Sequence, residues 1–232
     1  MSAWTSGVLG TFKSVDNIKK KLDNFLTERK EYNKILKSNI QLHPKEWKLK
    51  DGTIVLTGTI FDEYVSFTRR IVKKPDGKFE VKPVEQSVDT RMGRFYLTTN
   101  SIVLAECQDS RSYTFRVISK ALSGHDKYVQ YAEMDIMQIA RDYRKNWLGS
   151  ITRRGHWQSG TLWGDDLASD SVVGAEFVRS HKNQIGIETS YFGGVIKVRI
   201  TKDGSIVVYA NLDNKLNDFV DFIKDELLRY IK

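Results

Sequence analysis

The sequence predicts an α+β fold in which antiparallel, hairpin-built sheet packs against three amphipathic helices. Three observations point to it. Asp-Gly pairs recur beside β-branched runs, at Asp51-Gly52, Asp76-Gly77 and Asp203-Gly204, and such pairs favour tight hairpin turns. Three long stretches free of Pro and Gly carry apolar residues at helical spacing. A chain of 232 residues, 40% hydrophobic and 28% charged, has the composition of an ordinary globular protein with a core of its own.

Residues 1–13 read as a tail or short edge piece. Ser14 is an N-cap candidate for a first helix over 15–40, with Val15, Ile18, Leu22, Phe25, Leu26, Tyr32, Ile35 and Leu36 on one face and lysines on the other. Pro44 stops it. A hairpin follows around Asp51-Gly52, between Trp47–Leu49 and Thr53–Leu56. A second centres on Pro75-Asp76-Gly77, between Phe67–Val72 and Phe79–Val84. Arg94–Glu106 reads as a strand pair around Asn100-Ser101. Alternation of Tyr113, Phe115 and Val117 with polar residues suggests one more strand.

The second helix spans about Asp126 to Trp147, with a broad apolar stripe that includes Met134, Ile136, Ile139 and Tyr143. Residues 148–183 lack periodicity. Three strands then fall at Ile185–Ser190, Val195–Ile200 and Ser205–Ala210, with Lys197 and Arg199 on the wet side. The last helix, about Asn214 to Tyr230, closes the chain. All 232 residues read as one domain. If the chain divides, the boundary lies near 148–183, separating a helix plus sheet over 14–147 from a sheet plus helix over 184–232. The strings Lys50-Asp51-Gly52-Thr53-Ile54-Val55 and Lys202-Asp203-Gly204-Ser205-Ile206-Val207 are alike. Hairpin chemistry alone accounts for that likeness.

The lone Cys107 excludes an internal disulfide and fits a reducing compartment. No leader-like segment opens the sequence, and no apolar run approaches the roughly 20 residues of a membrane span. A cytoplasmic protein without a membrane partner is the expectation.

The formal charge of +8 attracts polyanions. The segment 141–163 sharpens that lean. Arg141, Arg144, Lys145, Arg153, Arg154 and His156 interleave there with Trp147, Trp157 and Trp163. Guanidinium groups clamp phosphates bidentately and indoles stack on bases. The leading expectation is a nucleic-acid-binding accessory or regulatory protein that uses this basic, Trp-containing loop, with the balance leaning away from an enzyme. Its contacts would be Arg141, Arg144, Lys145, Arg153, Arg154, His156 and Trp157, extended by Lys197 and Arg199. A non-catalytic interaction module, pairing with a partner or a second copy through helix 15–40, is the alternative. A further one is a metal-dependent hydrolase or nuclease in which Asp165, Asp166 and Asp170 offer oxygen ligands to Mg²⁺. The four histidines are too scattered for zinc spacing, no nucleotide cradle is present, and no cofactor is expected. Arg69-Arg70 and Lys73-Lys74 read as the charged guard of an edge strand.

Overall fold

The computed structural model describes residues 5–99, 102–106, 109–143, 145–152, 159–212 and 216–232, without the side chains of 83–85, 151–152 and 159. In chain order the elements are β1 (Thr5–Thr11), α1 (Ile18–Leu22), β2 (Leu26–Glu31), β3 (Lys34–Leu42), β4 (Trp47–Lys48), β5 (Ile54–Lys73), β6 (Phe79–Thr98) and β7 (Ile102–Ala105). After them come α2 (Arg111–Ser123), β8 (Gln130–Tyr131), α3 (Ile136–Asp142), β9 (Asn146–Thr152), β10 (Ser159–Trp163), α4 (Gly174–Arg179), β11 (Gln184–Thr189), β12 (Ile196–Thr201), β13 (Ser205–Val208) and α5 (Leu216–Phe222). A π turn over Ile223–Leu227 and a 3-10 turn over Leu228–Tyr230 prolong α5.

Among the described residues the thirteen strands form one antiparallel sheet, in the order β10-β9-β11-β12-β13-β1-β7-β6-β5-β3-β2. The short β4 and β8 pair to the side, with β5 and β1. The N-terminal half runs as a meander through β2, β3, β5, β6 and β7, and the C-terminal half does so from β11 to β13, with β9 between β10 and β11. The first strand joins the halves, pairing with β13 through Thr5–Val8 and with β7 through Val8–Thr11.

The sheet is covered on both faces, but by different halves. Along β1, β6 and β7 successive side chains point to opposite sides, as the strand period requires. Val8, Phe95, Leu97, Val103 and Ala105 meet α1 and α2 through Ile18, Leu22, Phe115, Ile118 and Leu122. Leu9, Tyr96, Ile102 and Leu104 enter the other core, built with Ile185, Ile187, Val198, Ile200, Ile206 and Val208 of the C-terminal meander. Its cover is Ile136 and Ile139 of α3, Phe177 of α4, and Phe219, Val220, Phe222, Ile223 and Leu227 of the last helix and its π turn.

The molecule is thus mostly β, and the expectation of an α+β fold with three amphipathic helices is overturned. The helix expected over 15–40 is one turn of helix and a hairpin. Tyr32 and Asn33 take left-handed backbone, φ 47° and 60°, and join β2 to β3 with Glu31 opposite Lys34. Positive φ at both central residues is the hairpin turn whose twist matches the strands. Leu36, Ser38 and Ile40 turn inward while Ile35 and Lys37 turn out, a period of two. An interaction module pairing through that helix loses its basis.

Residues 113–117, expected to form a strand, lie within α2, the longest α-helix described. Tyr113, Thr114, Val117, Ile118 and Leu122 are buried at helical spacing. Gly124, at φ 80°, returns its N–H to the Lys120 carbonyl and ends the helix. The helix expected over 126–147 is three pieces: β8, α3 and the start of β9. The Asp135 carboxylate accepts from Gln138 N–H and starts α3, and Tyr143 ends it in extended backbone. The three strands expected between 185 and 210 lie at β11, β12 and β13, whereas the helix expected over 214–230 is α-helical over Leu216–Phe222 among the described residues and then passes into the π and 3-10 turns. No helix among the described residues is long and apolar enough to cross a membrane.

Candidate nucleic-acid interface

Strands β5 and β6 are twenty residues each, far beyond the usual length of five or six. Only their bases belong to the body of the sheet, since β3 pairs with β5 as far as Asp62 and β7 with β6 as far as Phe95. Glu63–Lys73 and the strand opposite it continue as a two-stranded ribbon, about 35 Å long at ~3.3 Å per residue. Its turn is held by Lys74 N–H to the Lys78 carbonyl, 2.7 Å, with Gly77 at φ 81°. The tip of the β2–β3 hairpin touches the ribbon near its root, where the Tyr32 and Phe67 rings lie 5.2 Å apart and Lys34 Nζ donates to the Gln86 carbonyl. Every residue from Phe67 to Phe79 is exposed.

The segment 67–84 holds Arg69, Arg70, Lys73, Lys74, Lys78 and Lys82 against Asp76 and Glu80, a net +4 out of the +8 of the whole chain. Glu80 engages two of the cations, Lys74 at 3.3 Å and Lys82 at 3.7 Å. Asp76 is occupied in the turn, accepting from Lys78 N–H. Among the described residues Arg69, Arg70, Lys73 and Lys78 have no carboxylate within ion-pair distance. Arg70 stands directly across from Lys82, and like charges opposed on a ribbon cost stability. Ile71 and Phe79, each 72% exposed, stand among these cations.

The root of the ribbon is clamped by one carboxylate. Asp62 on β5 is fully buried and accepts from Ser38 Oγ (2.5 Å), Arg29 Nη1 (2.8 Å), Arg116 Nη2 (2.6 Å) and Arg91 Nε and Nη2 (3.0 and 2.8 Å). Burial alone would raise its pKa. The hydrogen bonds from Ser38 and Arg91 and the charges of Arg116 and Arg29 outweigh that and hold it below the ordinary carboxylate range. Arg91 also stacks on Tyr113, 4.4 Å from the ring centroid. Four strands and a helix, from β2, β3, β5, β6 and α2, are tied at this point.

A second exposed region lies on the C-terminal meander, on the side that α1 and α2 cover in the other half. Among the described residues no helix covers it there. Trp147 lies flat against the strand at Gly186, where a Cβ would stand 2.6 Å from its ring, and its indole N–H donates to the Ile187 carbonyl. Tyr209 meets that ring edge-on at 5.3 Å, and Trp163 lies 5.9 Å away and 64% exposed. Lys197 Nζ stands 5.3 Å over Trp147 and 3.6 Å from Asp165. Lys145 reaches Glu188 at 3.9 Å, and Arg199 Nε is buried without a hydrogen-bond partner among the described residues.

The structure therefore brings Lys145, Lys197 and Arg199 onto the face that holds Trp147 and Trp163. Arg141 is on the opposite side of the sheet, at the end of α3. Arg144, Arg153, Arg154, His156 and Trp157 lie outside the described residues. Two of the three aspartates are occupied, Asp165 by Lys197 and Asp170 by the N–H groups of Val172 and Val173, while Asp166, in left-handed backbone at φ 54°, has a buried Oδ1 without a hydrogen-bond partner among the described residues. Those two N–H groups hold the Asp170 pKa down. No group of three or more His, Cys, Asp or Glu able to hold a metal occurs among the described residues. Sequence reasoning places a hairpin at 67–84 and reads its cations as an edge guard, and passes over its extension into a long ribbon. Its signal was the lack of any proline or turn pair from Ile54 to Lys74, ahead of a turn flanked by cations. No protein-family model matches the chain, and no curated protein matches it.

Proposed function

We propose that the protein binds double-stranded nucleic acid through the β5–β6 ribbon. The observation that carries this reading is that the outer part of the ribbon, residues 67–84, carries a net +4, with Arg70 and Lys82 held opposite one another at a cost in stability. A B-form major groove is about 12 Å wide and admits a two-stranded ribbon, whereas the A-form major groove is too narrow for side-chain reading. The reading is therefore DNA, with Arg69, Arg70, Lys73 and Lys78 on phosphates and guanine edges. Lys197, Arg199 and Lys145, beside the exposed indole of Trp163, form an auxiliary contact surface in this reading.

Fluorescence anisotropy with a labelled duplex, titrated across salt, tests it. The expected result is sub-micromolar binding that weakens with salt. In a combined Arg69→Gln, Arg70→Gln, Lys73→Gln, Lys78→Gln variant the log–log salt slope should fall by about 0.9 for each phosphate that is no longer neutralised. No binding by the wild-type chain at about 50 mM salt ends the reading, because phosphate neutralisation is strongest there.

The exposure of Ile71 and Phe79 favours a second reading, in which the ribbon packs against another copy of the chain. Light scattering separates the two. A dimer dispersed by Ile71→Lys supports self-association, and a monomer at all concentrations removes it.

A further inference from the structure

On the face of the sheet covered by α3, α4 and α5, a pocket of about 260 Å³ opens between α3, α4 and β9. Lys182 lines it and is 1% exposed. Its Nζ donates to the carbonyls of Phe177 and Ser180, the latter at 3.0 Å, and stands 4.3 Å from the Phe177 ring centroid. No carboxylate lines the pocket among the described residues. A buried ammonium is ordinarily paired with an acid. Here burial, with no acid to offset it, pulls the lysine pKa down to about 8. Its uncharged form, which gains population as pH rises towards that value, has two N–H bonds, which the two carbonyls occupy, and keeps a lone pair to offer.

Asn146 lines the same pocket from β9. Its Nδ2 donates to the carbonyls of Ala140 and Tyr143, while its Oδ1 is buried with no partner among the described residues. Arg141, exposed at the end of α3, also lines the pocket and supplies a cation at its mouth. Met137, Ala140 and Val178 add an apolar wall. The combination is a nucleophilic amine, an unused acceptor, a guanidinium at the entrance and room for a few heavy atoms.

We propose that this pocket takes a small 2-oxo acid, Lys182 condensing with its ketone carbon while Arg141 pairs with its carboxylate. The amine lone pair forms the C–N bond as the carbonyl π pair moves to oxygen. One amine proton passes to that oxygen, giving a carbinolamine. The hydroxyl leaves with the second amine proton as water, and a C=N bond remains. Nothing is oxidised or reduced. Asn146 Oδ1 is the acceptor available to the carbinolamine hydroxyl. Methyl or short alkyl chains on the acid suit the apolar wall.

The test is incubation of the full chain with pyruvate and sodium cyanoborohydride, which reduces the imine to a stable amine, followed by peptide mapping by mass spectrometry. The expected result is one adduct, on Lys182, formed ahead of the surface lysines. Lys182→Arg keeps donors for the two carbonyls and should show no adduct there. Ala140→Phe fills the pocket, leaves the amine in place and should suppress labelling. Arg141→Gln changes an exposed side chain that the fold does not need. It should raise the half-saturating pyruvate concentration roughly tenfold, as the loss of a charge-assisted bond predicts. Labelling spread over surface lysines with Lys182 not preferred overturns the proposal. So does an Arg141→Gln or Ala140→Phe variant that is labelled like the wild type.

Discussion

Replacing Asp62 by alanine removes the carboxylate on which Ser38, Arg29, Arg91 and Arg116 converge, and leaves three guanidinium groups facing one another. Taking one partner from a fully buried ion pair costs about 3–5 kcal/mol. Asp62 is fully buried, but the side chains of Arg29, Arg91 and Arg116 are 20%, 40% and 25% exposed. Water therefore takes up part of the released charge. The expected loss is near the lower end, about 3 kcal/mol, or roughly a hundredfold in the folding equilibrium. Urea unfolding followed by tryptophan fluorescence measures it as a lowered midpoint at unchanged slope. The pH dependence gives an independent check. The pKa of Asp62 is lower in the folded chain, so its contribution is complete above the unfolded carboxylate value of about 3.9 and is lost as pH falls through the lower folded value. Asp62→Ala should therefore flatten the acid limb of the stability curve below about pH 4. A loss under about 1 kcal/mol, the range of exposed pairs, would refute the claim that this carboxylate ties the ribbon to the body.

Three further outcomes follow from named side chains. Gly186→Val places a side chain where the Trp147 ring already lies and should cost about 1–3 kcal/mol, with a red-shifted tryptophan emission that reports the displaced indole. Asp135→Ala removes the acceptor that starts α3 and should lower stability by about 0.5–2 kcal/mol in a thermal melt. Trp163→Ala, at an exposed ring, should leave stability within about 0.5 kcal/mol.

Where the sequence carried explicit turn chemistry, it was readable. The Asp-Gly pairs at 51–52, 76–77 and 203–204 all mark turns, and the meander from Gln184 to Val208 shows the alternation of a sheet with one dry face. The N-terminal half was misread because two periods coincide there. Ile35, Leu36 and Ile40 fit a helical stripe, and only the inward Ser38 reveals the strand. Its reason for facing inward is Asp62, more than twenty residues away. In α2 the apolar residues Tyr113, Phe115 and Val117 alternate by accident, and burial of Thr114 and Ser119 hides the helical face. The cations were visible one by one. What the sequence could not show is that β3 and β7 stop pairing early, which turns an ordinary hairpin into a projecting ribbon.

The placement of β1 has a consequence for biosynthesis. Thr5 pairs with Val208, so β1 is synthesised some two hundred residues ahead of one of its two flanking partners. Until β13 has been synthesised, one edge of β1 exposes unpaired amides to any extended chain nearby. Nascent polypeptides should be most prone to wrong pairing in that interval. A version stopped before residue 205 should clump, while one that includes β13 seals the seam.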